Sequence, residues 1–160
     1  MVVIRIESIG EEKFVRGLNR YVAQMKDFSE VFKQIQEDFW EINARNFKSA
    51  GSPEPFRVAT SPRYVEWKRR KVGHNKPLIL FGTLRDSLTG KKKETISDIN
   101  KTNATFGTTV PYANYHYYAR DSKAVQLTEA DKVRWARMIQ VWAYKKWQEM
   151  AVAPSLRSAI

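Results

Sequence analysis

The sequence predicts an α+β domain in which a small antiparallel β-sheet packs with long amphipathic helices. Two long segments carry apolar residues at the three- and four-residue spacing of a buried helix face. Between them lie two short segments that are rich in β-branched residues and are separated by turn-forming residues. The 160 residues are 42% hydrophobic, which is enough to build one core without disulfides. We therefore expect a single domain over residues 1–160.

The first half of the chain is predicted to be mostly helical. Val2 to Glu7 is rich in β-branched residues and predicts an opening strand, and a helix is expected from Glu11 to Met25. The clearest helix follows, with one apolar stripe formed by Phe28, Val31, Phe32, Ile35, Phe39 and Ile42. A second stripe beside it comprises Trp40, Ala44 and Phe47. A face this wide predicts burial against more than one partner element.

The most basic part of the chain is a helix predicted to follow a loop. The loop, Ser49 to Ser61, contains prolines, glycine and small polar residues, and we expect it to be mobile. Ser61 is predicted to cap the helix, with Pro62 in its first position, and Gly73 to end it. The cations of this patch are Arg63, Lys68, Arg69, Arg70, Lys71 and Lys76. Two interpretations stay open: a solvated face that carries Trp67 into the core, or a surface facing phosphates or an acidic neighbour.

The second half is predicted to contain a hairpin, a short helix and a long helix. Turn residues from Ser97 to Asn103 separate the two β-branched segments, and Pro111 to Ala119 predicts the short helix. Thr128 and Asp131 have the spacing of a capping box at the start of the last helix. Its predicted buried face comprises Trp135, Ile139, Ala143, Trp147 and Met150, flanked by Met138 and Trp142. Residues 155–160 are expected to fray.

Composition limits the classes of function. The formal net charge of +11, from 28 Lys and Arg against 17 Asp and Glu, favours polyanionic partners or acidic protein surfaces. The absence of cysteine excludes disulfides and thiolate chemistry. No apolar run approaches the roughly 20 residues that span a bilayer, and the first residues lack the pattern of a secretory signal. We therefore expect a protein of the cytoplasm, with no membrane partner.

The residues needed for common catalytic sites are missing or scattered. His74 and His116 are the only histidines, so neither a serine triad nor a zinc site is predicted. The carboxylates are spread over helix faces and caps rather than gathered for two metal ions. Seven residues separate Gly82 from Gly90, which is too many for a P-loop. No catalytic residue, metal or cofactor is therefore expected, and a non-enzymatic role is favoured.

The stretch "LILFGTLRDSLTG", Leu78 to Gly90, instead predicts a rigid turn. Gly82 permits a tight junction, Thr83 can cap the short helix, and Gly90 can end it in the left-handed conformation. Arg85 and Asp86 are expected to point outward while two leucines pack inward. An exposed Arg–Asp pair on a rigid turn is suited to docking.

This stretch and a second one, "FGTTVPYANYHYYA", together resemble the tailed-phage virion morphogenesis family. That family includes the tail completion proteins and related head–tail joining proteins. The matching residues are Leu78, Leu80, Gly82, Leu84, Arg85, Ser87, Gly107, Thr108, Tyr112, Ala113 and His116. The basic segment "SPRYVEWKRRK" occupies the place of the family's Ser-Pro-initiated helix. The resemblance covers roughly Ser61 to Ala119, and Phe81 stands where the family usually has threonine.

The resemblance implies a structural protein that completes or joins the tail at its head-proximal end, as a hexameric ring. It implies assembly in the host cytoplasm, a final location in the virion, and partners among further copies and neighbouring neck and tail proteins. DNA in the channel is a further candidate partner. The candidate assembly interface comprises Arg85, Asp86, Tyr112, Tyr115, His116, Tyr117 and Tyr118.

Nucleic-acid binding is the alternative function that the sequence leaves open. In that case the chain is a basic accessory protein, and the aromatic-interleaved run from Arg63 to Lys76 carries the binding. Its affinity would fall steeply as the salt concentration rises.

Overall fold

The computed structural model describes residues 26–51, 54–56, 61–118 and 125–152, together with the single helical positions 16, 19 and 22. Five helices and one two-stranded antiparallel sheet account for the regular structure of this part, which confirms the predicted α+β class. The elements are α1 (Ser29–Ser49), α2 (Pro62–Val72), α3 (Thr83–Leu88), β1 (Thr95–Ile99), β2 (Ala104–Thr108), α4 (Tyr112–Tyr118) and α5 (Glu129–Val152). The predicted strand over residues 2–7, most of the helix over 11–25, part of the loop over 49–61 and the tail over 155–160 lie outside the described residues.

Helix α1 supplies the centre of the core. Its predicted first stripe is confirmed for four of its six members, which are buried: Val31, Ile35, Phe39 and Ile42. Of the second stripe, Phe47 is buried, whereas the expectation for Ala44 is wrong because its side chain is exposed. Asn43 takes a buried position instead, and its Nδ2 donates to the carbonyl of Phe39 at 2.8 Å.

Two clusters of buried side chains pack on α1. The larger one surrounds its C-terminal half and comprises Phe39, Phe47, Phe56, Ile79, Leu84, Leu88 and Val110. The smaller one joins its N-terminal half to α5 and comprises Val31, Ile35 and Trp142. Burying each of these large side chains contributes about 1.5–3 kcal/mol, so the two clusters determine how the other elements sit on α1.

The hairpin lies against α1 through one face. Its register pairs Thr95 with Thr108 and Ile99 with Ala104, and the amide of Asn100 donates to the carbonyl of Asn103 at 2.8 Å. The reversal is therefore tighter than the predicted turn from residue 97 to 103. Phe106 on β2 faces the core, where its ring centroid lies 5.6 Å from that of Phe39.

Helix α5 begins with the predicted capping box. The amide of Asp131 donates to Thr128 Oγ1 at 3.1 Å, and the amide of Thr128 donates to Asp131 Oδ2 at 2.9 Å. This reciprocal pair satisfies donors that the first helical turn leaves without partners. Within the described ranges, no helix combines the length and the apolar character that crossing a membrane requires.

The side chain of Gln126 forms two hydrogen bonds with the backbone of Glu54, in the segment that follows α1. Gln126 Nε2 donates to the carbonyl of Glu54 at 2.8 Å, and the amide of Glu54 donates to Gln126 Oε1 at 2.9 Å. Asn46 Nδ2 in turn donates to the backbone carbonyl of Gln126 at 3.3 Å. These bonds place Phe56 in the core, where its exposed fraction is 2%.

Candidate functional site

The segments 78–90 and 106–118 fold against each other through a pair of hydroxyl groups. Ser87 Oγ lies 2.7 Å from Thr108 Oγ1 and donates to the carbonyl of Leu84 at 2.9 Å. Thr108 Oγ1 also accepts the amide of Val110 at 3.1 Å. With Thr108 as the donor to Ser87, one arrangement of protons satisfies all three bonds. The bonds join α3 to β2 and to the start of the tyrosine-rich block.

This junction divides the motif residues into an inner and an outer set. Leu84 and Ser87 have exposed fractions of 1% and 0%, so they belong to the interior. Arg85, Tyr112 and Tyr115 are exposed. The buried residues therefore stabilise the local fold. Only the exposed residues are available to contact another molecule.

The predicted structural turn is confirmed at its two glycines and corrected at Thr83. Gly82 and Gly90 have φ angles of 79° and 74°, in the left-handed region that favours glycine. Gly82, and not Thr83, occupies the N-cap of α3, and no side chain caps this helix. Thr83 is the first helical residue. At the other end, the amide of Lys91 donates to the carbonyl of Asp86 at 2.8 Å, which is the long bond of a Schellman ending.

Arg85 and Asp86 form an ion pair with each other on this turn. Arg85 Nε donates to Asp86 Oδ1 at 2.7 Å, and the side chains are 45% and 20% exposed. Asp86 is thus less outward than the sequence predicted, because Arg85 covers part of its carboxylate. Phe81, immediately before Gly82, is 66% exposed. The turn consequently presents an apolar ring and a cation to solvent, with the carboxylate partly behind them.

The tyrosine-rich block forms α4 and places two tyrosines on the surface. Tyr112 and Tyr115 are 46% and 54% exposed, and both rings contact the half-buried ring of His116. The centroid distances are 6.0 Å from Tyr112 and 5.9 Å from Tyr115. Ala113 packs against the larger core cluster and so fixes the helix. The side chains of Tyr117 and Tyr118 lie outside the described residues.

Helix α5 is fastened to α1 through the carboxylate of Asp38. Its Oδ2 accepts Nε and Nη2 of Arg134 at 3.1 and 2.8 Å and Nε1 of Trp135 at 2.5 Å. Arg134 Nη2 also donates to Asp131 at 2.9 Å, which links this contact to the capping box. Beside Asp38 and Asp131, the pKa of the Arg134 guanidinium is raised, chiefly by the hydrogen bond to Asp38.

The same network lowers the pKa of Asp131. Burial of this carboxylate works in the opposite direction, but the hydrogen bonds from Thr128 and the charge of Arg134 outweigh it. At the other end of the helix pair, Trp142 Nε1 donates to Glu30 Oε2 at 3.1 Å, and Lys146 Nζ lies 3.0 Å from the same oxygen. Hydrogen bonds from Trp142 and Lys146 lower the pKa of Glu30.

A shallow groove of about 340 Å³ runs between α1 and α5 beside these residues. Among its charged side chains, Lys146 forms ion pairs with Glu30 of α1 and with Glu149 of its own helix. Part of the groove is therefore built from groups that hold the two helices together.

The side of α5 that faces away from α1 exposes a second apolar stripe, which the sequence analysis missed. Its members are Val133, Tyr144 and Trp147, with exposed fractions of 67%, 57% and 51%, whereas Val141, 45% exposed, lines the groove beside α1. The prediction that Trp147 is buried is wrong, and Trp142 supplies the buried indole instead, at 6% exposure. At 100° per residue, Trp142 lies on the side of the helix opposite Val133 and Tyr144. Because α5 carries apolar residues on two sides, it can pack on the core with one side and contact another molecule with the other.

Two expectations for the basic patch on α2 are corrected. Lys68 does not belong to an exposed patch, because its side chain is buried and its Nζ donates to the carbonyl of Lys76 at 2.5 Å. Burial lowers the pKa of the Lys68 ammonium. Trp67 does not enter the core, since 45% of its surface is exposed. The buried residue of α2 is therefore a lysine that bonds to the loop following the helix, and not the indole.

Among the described residues, no group of three or more His, Asp or Glu side chains is arranged to hold a metal ion. His74 lies in the loop after α2, where its Nδ1 accepts the amide of Lys76 at 3.3 Å. His116 is engaged by the two tyrosine rings of α4.

The chain was compared with protein-family models, with curated proteins and with solved structures. None of the three comparisons gives a match. The geometry on which a function can be argued consists of a motif junction in the interior, exposed aromatic side chains on α4 and α5, and a basic helix with an outward indole.

Proposed function

We propose that this chain is a non-enzymatic structural protein of a tailed-phage virion. It serves in tail completion or head-to-tail joining, and it assembles with further copies into a ring. The observation that carries the proposal is the exposure of four aromatic side chains on two helices: Tyr112, Tyr115, Tyr144 and Trp147.

Aromatic side chains at this level of exposure favour a protein interface. Each fully buried aromatic residue removes about 150–250 Å² from water, and Tyr and Trp are enriched at the centres of interfaces. On α5, Val133, Tyr144 and Trp147 share the outer side of the helix over about four turns, with the exposed Arg137 and Gln140 between them. This side offers a neighbouring subunit both apolar and polar contacts, with its aromatic side chains toward the C-terminal end.

Ring formation has its own geometric requirement. A ring built from head-to-tail contacts needs two different surfaces on each subunit, whereas a twofold dimer reuses one. The tyrosines of α4 and the outer stripe of α5 are two such candidates. The exposed Phe81 and Arg85 on the turn before and within α3 extend the motif surface.

The chemistry of the motif supports a structural role. Ser87 is the buried hydroxyl of the phage-like stretch, and its oxygen is engaged by Thr108 and by the carbonyl of Leu84. A hydroxyl held in this way stabilises a junction and has no base beside it among the groups that contact it. The proposal therefore assigns the motif to shape and assembly.

Virion composition tests the biological assignment. If the proposal is correct, mass spectrometry of purified phage particles that encode this chain detects it at a fixed copy number, and particles lacking it carry incomplete tails or unjoined heads. Absence of the chain from mature particles would refute the assignment.

Ring formation by the purified protein tests whether the exposed aromatic residues of α5 form an interface between subunits. We expect the purified protein, alone or with the adjoining neck proteins, to form rings visible by negative-stain electron microscopy. The double substitution Tyr144→Ser and Trp147→Ser should abolish them. The matched control is Lys145→Ser with Glu149→Ser, which alters exposed positions on the groove side of the same helix without removing an aromatic ring. Rings that survive the aromatic substitutions would exclude the α5 stripe as an interface.

A further inference from the structure

The outward face of α2 has a composition unlike the assembly surfaces on α4 and α5. It combines an exposed tryptophan with exposed cations, and it is set apart from the core. Lys68 is the one residue of this helix that is buried, while Val65 and Val72 are half-buried. These three residues define the side of α2 that faces the rest of the chain.

Helical geometry then gives the composition of the opposite side. At 100° per residue, Arg63, Trp67 and Arg70 lie within about 60° of one another and point away from Lys68. Lys71 follows Trp67 by one turn. All four side chains are exposed. The indole of Trp67 therefore has a cation one turn before it and two cations one turn after it.

A second ring extends the aromatic surface. Tyr64 is 40% exposed, and its ring centroid lies 5.6 Å from that of Trp67, with an angle of 34° between the planes. The two rings form a continuous aromatic strip at the edge of the cationic face. Both rings are exposed, and the buried residue of this helix is Lys68.

The cations around this strip are largely uncompensated. Glu66 is the only carboxylate of α2, and it pairs with Arg70 at the surface. Arg63, Arg69 and Lys71 form no ion pair with any residue in the part of the chain that the structure describes. A ligand for this face must therefore supply negative charge and, at the same time, a flat apolar surface.

We propose that the outward face of α2 is a binding site for single-stranded nucleic acid. A base stacks on Trp67, with Tyr64 as a second ring, and the phosphates on either side contact Arg63, Arg70 and Lys71. Stacking platforms flanked by cations are the means by which proteins hold single strands without reading their sequence. A duplex fits less well, because its base faces are covered by neighbouring pairs and only its phosphates are accessible.

This site is independent of the neck assignment. Binding by α2 makes no use of the residues that form the proposed ring surfaces. Either proposal can therefore fail without affecting the other.

The binding experiment uses the full chain and oligothymidylate labelled at one end, with fluorescence anisotropy as the readout. Each phosphate contact contributes about −0.7 to the slope of log K against log salt for single strands, so three contacts predict a slope of about −2. A blunt duplex and inorganic polyphosphate serve as competitors. We expect polyphosphate and duplex to compete more weakly than unlabelled oligothymidylate.

Substitutions at Trp67 distinguish stacking from simple apolar contact. Trp67→Ala is expected to weaken binding about tenfold, Trp67→Phe to retain most of it, and Trp67→Leu to lose as much as the alanine variant. Trp67→Phe serves as the matched control, because it keeps an aromatic face at the same place in α2. Circular dichroism confirms that each variant keeps the helical content of the parent.

Substitutions of the cations test the phosphate contacts. Lys71→Gln should reduce the magnitude of the salt slope by about 0.7, whereas Lys92→Gln, which removes the same charge from the loop before β1, should not. The proposal is overturned if Trp67→Ala binds oligothymidylate as well as the parent does. It is also overturned if Trp67→Leu matches Trp67→Phe, or if polyphosphate competes as well as the oligonucleotide, since either result indicates an acidic protein surface as the natural partner.

Discussion

The indole ring of Trp40 lies directly over the Cα of Gly90. A Cβ built at Gly90 would come within 2.6 Å of Trp40 Cε2, and the backbone there has a φ of 74°. Two separate requirements therefore favour glycine at this position: the left-handed conformation that ends α3, and the space that the ring occupies. The contact joins α1 to the end of the segment from Leu78 to Gly90, so the packing of the core helix depends on the glycine that ends α3.

Replacing Gly90 by alanine should destabilise the protein by about 2–4 kcal/mol, because backbone strain and overpacking add. Gly73→Ala is the matched control: its φ is 75°, but nothing lies within 4 Å of the added Cβ, so only strain of about 1 kcal/mol is expected. Urea unfolding measures both. In a Trp40→Leu background, the two alanine substitutions should cost nearly the same. Equal costs in the parent background would contradict the packing argument.

Removing the hydroxyl of Ser87 should break the junction between the two motif segments. Ser87→Ala leaves the half-buried hydroxyl of Thr108 without its acceptor, and we expect a loss of about 1–2 kcal/mol in the free energy of unfolding. Thr108→Val should cost a similar amount. The double variant should cost less than the sum, because both changes remove the same contact. Strict additivity in urea unfolding would show that the two hydroxyls do not interact.

Asp38 should be the most sensitive carboxylate of the α1–α5 contact. Its Oδ2 accepts three hydrogen bonds, from Arg134 and Trp135, while the side chain is 19% exposed. Asp38→Asn removes the charge that these donors face, and we expect a loss of about 2 kcal/mol. Glu66→Gln breaks the exposed pair with Arg70 and should change stability by less than about 0.5 kcal/mol. Thermal unfolding distinguishes the two classes.

Acid should weaken the attachment of α5. Because folding lowers the pKa of Asp131 and of Glu30, the stability that each contributes is complete above its unfolded value and is lost as the pH falls through the folded one. The melting temperature should therefore decline below about pH 4. Asp131→Asn should flatten this decline, and Glu41→Gln, at an exposed position of α1, should not. An unchanged acid slope in Asp131→Asn would contradict the assignment.

The periodicity of the sequence predicted which elements form but not always which side of a helix is inward. For α1 the stripe of Val31, Ile35 and Phe39 faces the core, because the opposite side of that helix is polar. For α5 the same spacing rule placed Trp147 inside, and it is exposed. A helix with apolar residues on two sides satisfies the rule in either orientation, so contacts with other elements decide.

The missed interior residues are polar groups whose partners are distant in the sequence. Asn46 and Gln126 are buried because they bond across 80 residues, and no local pattern reveals that pairing. Lys68 is buried because its ammonium reaches the carbonyl of Lys76 at the end of the next loop. The capping box of Thr128 and Asp131 was predicted correctly because it is contained within four consecutive residues.

The carboxamide of Gln126 has a consequence for how the chain tolerates change. By meeting both the amide and the carbonyl of Glu54, it acts toward that residue as an adjacent β-strand would. Two loops far apart in the sequence therefore meet at this one side chain, beside Phe56, and a change of length in either should be felt by the other. An inserted tag should avoid both loops, and also the hairpin tip, where the carbonyl of Lys101 accepts the amide of Phe28 at 2.7 Å.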